Sequence, residues 1–321
     1  MAHELATTND MAYVGATPWH GLGNPLSTGQ PIEIWQKQAG MDFNINETEV
    51  LYSVSNGAGL HLQTNPDNKV LFRSDNHAPL SVVSKRYKVV QPRDVLEFYR
   101  DLVSAGGFEL ETAGVLKGGK KLWALAKTGQ ETLLRGGDKV KAYLLLATSC
   151  DGTLCTTAQF TSVRVVCNNT LQLATGDHAG SVKVPHSTKF DPDQVKQALG
   201  LGMSAWETFL GSIKTLAARP VHKFEATNFL VNVLGDSNLP LPEQPNKKAM
   251  DNVYALFAGK GMGSDLAAAN GTAWGLLNAV TEYVDHQRRA RNQDYRLDSA
   301  WFGQGAIVKN RAFEEAMKLA A

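Results

Sequence analysis

The clearest pattern of apolar and polar positions runs from Lys139 to Thr175. Val140, Ala142, Leu144 and Leu146 alternate with Lys139, Lys141 and Tyr143, the period of two that separates the faces of a β-strand, until the alternation blurs at Leu145. Cys150-Asp151-Gly152-Thr153 follows. Asp-Gly between two apolar runs predicts a tight hairpin, because glycine accepts the positive φ of the turn. A second strand is expected over Leu154–Phe160. Beyond it the period lengthens. Val163, Val166, Cys167, Thr170, Leu171 and Ala174 fall on one face of an α-helix, which Thr161 or Ser162 would cap. The same spacing sets Arg164, Asn168 and Gln172 on a second, polar stripe. The stretch thus reads strand, turn, strand, helix. As packing alone it is a core hairpin under a helix; as chemistry, its cationic strand face and Arg/Asn stripe would meet a ligand.

The rest of the chain is punctuated in the same way. Residues 1–24 carry little periodicity but include Thr17-Pro18-Trp19-His20-Gly21-Leu22-Gly23, a compact loop whose tryptophan should dock into the core. Pro31 suits the first turn of a short helix through Gln38, ended by Gly40. From Met41 to Ser84 the signals are β: Phe43 and Ile45, Val50–Val54, His61–Gln63, Lys69–Phe72 and Leu80–Val83, with Asn65-Pro66-Asp67-Asn68 among the turns. Pro92 opens a helix through Ser104, with Val95, Leu96, Tyr99, Leu102 and Val103 inward and Gly106-Gly107 as its stop. Phe108–Leu116 and Lys120–Lys127 form a hairpin across Lys117-Gly118-Gly119, and Thr128–Asp138 reads as a polar connection. An extended stretch over Asp177–Phe190 leads into helices at Asp191–Ala218, interrupted near Gly200-Leu201-Gly202, then Lys223–Leu234, Asn246–Ala258, Thr272 to about Arg291, and Ile307–Leu319. The expected fold class is α+β. A mixed, mostly antiparallel sheet with packed helices occupies residues 1–190 and a helical C-terminal region 191–321, either standing apart or folded back over the sheet.

Composition narrows the chemistry more than the fold. With 43% hydrophobic and 20% charged residues among 321, the chain can fill one large domain or two ordinary ones. A formal net charge of +1 argues against a globally basic DNA binder and leaves room for a local basic groove. The three cysteines, Cys150, Cys155 and Cys167, match no zinc spacing. Without a charged start and apolar signal stretch ahead of them, they are expected to be reduced thiols of a cytoplasmic protein. No apolar run approaches the ~20 residues of a membrane span, so no membrane partner is expected. Neither G-x-x-x-x-G-K-S/T nor G-x-G-x-x-G occurs, and no cofactor or metal is expected.

Four segments carry a resemblance. They are Pro18-Trp19-His20-Gly21-Leu22-Gly23; Val82-Val83-Ser84-Lys85-Arg86-Tyr87 leading into Val89-Val90-Gln91; the run from Thr161-Ser162-Val163-Arg164 to Asn168-Asn169-Thr170-Leu171; and Thr272-Ala273-Trp274-Gly275 through Asn278 to Tyr283. With these the chain resembles, over almost its whole length, a family of phage and plasmid proteins, the domain of unknown function DUF932. The resemblance implies a gene carried by mobile elements and no particular reaction or catalytic residue.

Within these segments Lys85, Arg86, Tyr87 and Lys88 form the densest basic cluster of the first half, with an aromatic inside it. Binding single-stranded DNA requires cations that track phosphates and aromatics that stack on bases, without base-specific contacts. Lys85, Arg86, Tyr87, Lys88, Lys139, Lys141, Tyr143 and Arg164 supply those types, with Asn168 on the same stripe as Arg164. A hairpin-rich sheet followed by a helix is also similar to the core of ring-forming single-strand annealing proteins, a likeness of architecture alone. The expectation is a non-enzymatic homo-oligomer that binds or anneals single-stranded DNA in replication or recombination. Two other classes stay open. One is a protein-binding accessory or host-takeover factor, which the near-neutral charge favours. The other is a nucleic-acid-processing enzyme using Cys167, His20 or carboxylates that converge on a cation.

Overall fold

A computed structural model of the chain describes residues 10–15, 23–56, 59–104, 107–166, 169–172, 181–199 and 202–321. The N-terminal part contains β1 (Met11–Val14), β2 (Asn24–Leu26), α1 (Ile32–Gln38), β3 (Ile45–Asn56), β4 (Gly59–Arg73), β5 (Pro79–Ser84) and α2 (Pro92–Ser104). A run of strands follows: β6 (Glu109–Leu116), β7 (Lys121–Leu134), β8 (Asp138–Ser149), β9 (Thr156–Arg164), β10 (Asn169–Gln172) and β11 (Ser181–Val184). Helices complete the chain: α3 (Pro192–Leu199), α4 (Gly202–Ala218), α5 (Lys223–Leu234), α6 (Lys247–Ala255), α7 (Ala273–Glu282), α8 (Gln293–Phe302) and α9 (Gln304–Ala320). The fold is α+β, as the alternating and helical periods predict.

The larger sheet has the order β10-β9-β8-β7-β6-β1-β2, with β11 beside β9. Only β1 and β2 pair in parallel among its described strands. Its two faces are both buried. On one, Val140, Ala142, Leu144 and Leu146 of β8 join Leu122, Ala124 and Ala126 of β7 in a core with Val95, Leu96, Phe98 and Tyr99 of α2. The Tyr99 hydroxyl lies 2.8 Å from the Ala124 carbonyl oxygen and 3.0 Å from that of Leu144, to which it can donate its one proton. On the other face Tyr143, Leu145 and Ala147 cluster with Trp123 and Leu125, and Leu297, Trp301 and Phe302 of α8 pack over them. Trp123 and Trp301 meet edge to face at 5.0 Å. The alternation blurs at Leu145 for this reason: a strand covered on both sides has no polar face to keep.

The helical region shares the sheet's core. Buried residues run without a break from β8 into α4, α5, α7 and α9. Helix α7 is buried along its whole length from Ala273 to Glu282, and the Thr272 hydroxyl caps it by accepting the Gly275 N–H. The smaller sheet has the order β3-β4-β5.

Three expectations need correction. Among the described residues from Thr161 to Gln172 there is no helix. β9 continues to Arg164 and β10 returns along it, with Thr170 opposite Val163 and Leu171 opposite Ser162. The spacing of three and four arose because β9 is buried on both faces, and the β-branched Thr161 and Val163 fit a pleated surface beside β8. Thr128–Asp138 is mostly strand. β7 runs on to Leu134 past an irregularity between Lys127 and Glu131, where Gly129 has a φ of +75°. Nor is Asn65-Pro66-Asp67-Asn68 a turn. β4 continues on both sides of it, and Pro66, Asp67 and Asn68 bulge from the ladder where the neighbours Glu49 and Val50 face Lys69 and Asn65. Helix α8 and the short strands β1 and β2 were not expected. The Trp19 loop, His20, Cys167 and Asn168 lie outside the described residues.

Candidate nucleic-acid interface

The basic turn follows β5 and is held from several sides. The Lys85 N–H donates to the Asp67 carbonyl at 2.9 Å and the Tyr87 N–H to that of Ser84 at 3.0 Å. The Tyr87 hydroxyl donates to the Ser149 carbonyl at 2.6 Å, and its ring stacks on His186 at 4.3 Å. The Lys88 N–H donates to the His186 carbonyl at 2.6 Å, and the His186 ring lies 3.1 Å from the Lys88 carbonyl and 3.0 Å from that of Leu154. Burial pushes the Tyr87 hydroxyl well above the usual phenol range, so it stays a neutral donor. The backbone and the aromatic are therefore fixed, while the side chains of Lys85, Arg86 and Lys88 are exposed and unpaired among the described residues. Lys183 and Lys189, three residues to either side of His186, are exposed as well.

The remaining candidates do not join this cluster into one track. Lys139 and Lys141 on β8 are half-buried. The Lys139 ammonium is 2.8 Å from the Glu131 carboxylate, and that contact holds Glu131 below the usual carboxylate range. Glu131 also stands opposite Lys141 in the ladder. Tyr143 is buried in the second apolar cluster, where burial, with Glu111 beside it, raises its hydroxyl pKa. It has no ring face to offer a base. Arg164 is buried too. Its Nε donates to both oxygens of the fully buried Asp138 at 2.8 and 2.9 Å, and its remaining nitrogens reach the carbonyls of Met262 at 3.2 Å and Gly263 at 2.8 Å. Trp274 Nε1 donates to the same carboxylate at 3.0 Å. On a strand, Arg164 shares the inward face of its partner Val140, and this is why it closes a structural ion pair instead of lining a surface. The architectural likeness to annealing proteins correspondingly loses the helix on which it rested.

Other buried polar groups escaped the sequence because their partners are distant. Lys309 of α9 donates to Asp285 at 2.7 Å and to the carbonyl and hydroxyl of Thr170, each at 2.8 Å. Burial lowers the Lys309 pKa, and Asp285 opposes that shift. The Glu282 carboxylate accepts the Met262 N–H at 3.0 Å, and burial raises its pKa. Cys150 is buried against the carbonyls of Gly119 and Lys120, and burial pushes its thiol up to about 12, far from a nucleophilic thiolate. Among the described residues no three His, Cys, Asp or Glu side chains gather as a metal site. No helix among them is long and apolar enough to cross a membrane.

Comparison with curated proteins and with solved structures returns no match. A family model described as a domain of unknown function, DUF932, matches residues 79–301, more than half of the chain. That span takes in the basic turn, the Asp138–Arg164 pair and α7. The chain therefore belongs to the DUF932 family.

Proposed function

We propose that the protein acts by binding, and that single-stranded nucleic acid is its ligand along the turn Lys85–Lys88. One observation carries this reading. Three neighbouring cations stand exposed and, among the described residues, unpaired on a clamped backbone, whereas Lys139, Arg164 and Lys309 are each held by a carboxylate. A fixed backbone lowers the entropy lost when such side chains meet phosphates. Lys183 and Lys189 extend the charge beyond the turn. Because one face of the Tyr87 ring already stacks on His186, affinity is expected to be mainly electrostatic and insensitive to base sequence. Annealing during replication or recombination is the process such binding would serve.

The test is fluorescence anisotropy with a labelled single strand at about 50 and about 200 mM salt. Changing Lys85, Arg86 and Lys88 together to alanine should weaken binding and reduce the slope of log K against log salt by about 2, since each phosphate contact contributes about 0.7. An unchanged slope and affinity, or no binding by the wild type at the lower salt, would sink the reading. A protein-binding role is the second reading, favoured by the distal half of the β3–β4 ribbon, which holds no Asp, Glu, Lys or Arg from Val50 to Thr64.

A further inference from the structure

β3 and β4 pair from Ile45 opposite Arg73 out to Asn56 opposite Gly59, but β5 lies only along Asn68 to Phe72. Among the described residues nothing covers the distal half of the ribbon. Every residue from Leu51 to Ser55 and from Gly59 to Thr64 is exposed. At ~3.3 Å per residue this half projects about 20 Å. A lone two-stranded ribbon is marginal in water, and this one is strongly apolar. Leu51 (55% exposed), Leu60 (72%) and Leu62 (68%) share one face, because Leu60 and Leu62 stand opposite Ser55 and Ser53. Tyr52 and Val54 share the other.

The charge pattern is as sharp as the exposure. No Asp, Glu, Lys or Arg occurs from Val50 to Thr64, whereas the covered half of the same ribbon carries Glu47, Glu49, Asp67, Lys69 and Arg73. Exposed strand edges are ordinarily blunted by charge, proline or a bulge. Among the described strands none pairs with either edge of this half, and the edges carry no Asp, Glu, Lys or Arg to keep another strand away.

The neutral surface selects its occupant. A nucleic acid finds no cation there, and an acidic or basic peptide finds no counter-charge. What the surface complements is itself, and a formal charge of +1 on the whole chain leaves two copies with little mutual repulsion. Antiparallel pairing of one edge with its own copy has the two-fold symmetry of an isologous dimer. β3 beside β3 makes a four-stranded sheet, satisfies the free backbone N–H and C=O groups along the β3 edge, and gathers the leucines of both copies on one face. We infer that the distal half of the β3–β4 ribbon is a self-association arm whose partner is the arm of a second copy of this chain.

This goes beyond the nucleic-acid reading and does not rest on it. The test is sedimentation velocity of the full chain, without nucleic acid, from the low micromolar range upward. The wild type should show at least twice the one-copy mass. Leu60→Glu with Leu62→Glu should raise the apparent dissociation constant about 100-fold or more. Leu133→Glu, at an exposed apolar position on β7, should leave assembly unchanged. All these side chains are exposed, and a cooperative thermal transition retained by the variants confirms that the fold survives. A one-copy mass at every concentration overturns the inference and passes the arm to a neutral strand of another protein. An assembly that the double variant leaves intact also overturns it.

Discussion

In the eight-stranded sheet, β8 has α2 over one face and α8 over the other, so that both alternating sets of its side chains are buried. In the three-stranded sheet, the distal half of β3 and β4 runs into solvent with leucines exposed on one face, whereas Ile45 and Leu71 of the proximal half are buried in the core with Ile32 and Trp35 of α1. The difference shows how burial governs charge. Inside the larger sheet cations are present but neutralised, as at Arg164 with Asp138, while the bare distal half of the ribbon, Val50–Thr64, holds no Asp, Glu, Lys or Arg. Unpaired cations gather at Lys85–Lys88, on the segment that leaves the smaller sheet for α2. Composition alone is a poor guide to where a phosphate could bind.

The contrast can be broken most severely at Asp138. Asp138→Ala leaves the Arg164 guanidinium buried without its counter-charge and Trp274 Nε1 without an acceptor. A loss of about 3–5 kcal/mol in urea unfolding is expected. A loss below about 1 kcal/mol would mean that water already reaches the pair. Next comes a matched pair of leucines. Leu144→Ala should cost about 2–5 kcal/mol through the cavity it leaves, whereas Leu62→Ala, measured where the chain is a single copy, should stay within about 0.5 kcal/mol. Equal costs would erase the distinction between the sheets.

The smallest effect concerns Glu282, whose raised pKa reflects burial of its charged form. Below the ordinary value of 4.5 the group is protonated in both folded and unfolded chains, and its burial carries no charge penalty. As pH rises through the higher folded value, the unfolded chain has already released its proton, so this group's contribution to stability falls. Glu282→Gln keeps an acceptor for the Met262 N–H and removes that fall. Its stability should gain on the wild type as pH climbs above 4.5, read from denaturation curves on either side. A difference independent of pH would show that the carboxylate is hydrated in the native state.

Much of the fold was legible where local chemistry sets the ends of elements. Pro31 and Pro92 mark the starts of α1 and α2, and the glycines at Gly118 and Gly152 sit at positive φ in the turns between strands. Helix α5 begins and ends where its apolar period does, from Lys223 to Leu234. Legibility failed at β9 and β10, since a strand buried on both faces loses its period of two and leaves a helical spacing by coincidence. It failed again at Pro66, where a bulge of three residues, Pro66 to Asn68, takes up a proline that would otherwise end a strand. For the candidate site, the run Lys85-Arg86-Tyr87-Lys88 was visible as a cluster. The sites of Tyr143 and Arg164 were not, because Arg164 is bound by a carboxylate twenty-six residues away that also accepts from Trp274 at the start of α7. The strands of the arm could be read from Val50–Val54 and His61–Gln63, but not that they would be left bare.

By itself the sequence determined the class of the fold, the positions of most elements and the local charge density, all of which depend on residues a few places apart. Tertiary structure alone decided which cations face water, which aromatics are sealed inside and which strand edges stay open. Solvation of a side chain is set by whatever packs over it, and in this chain the covering groups come from elements many tens of residues away.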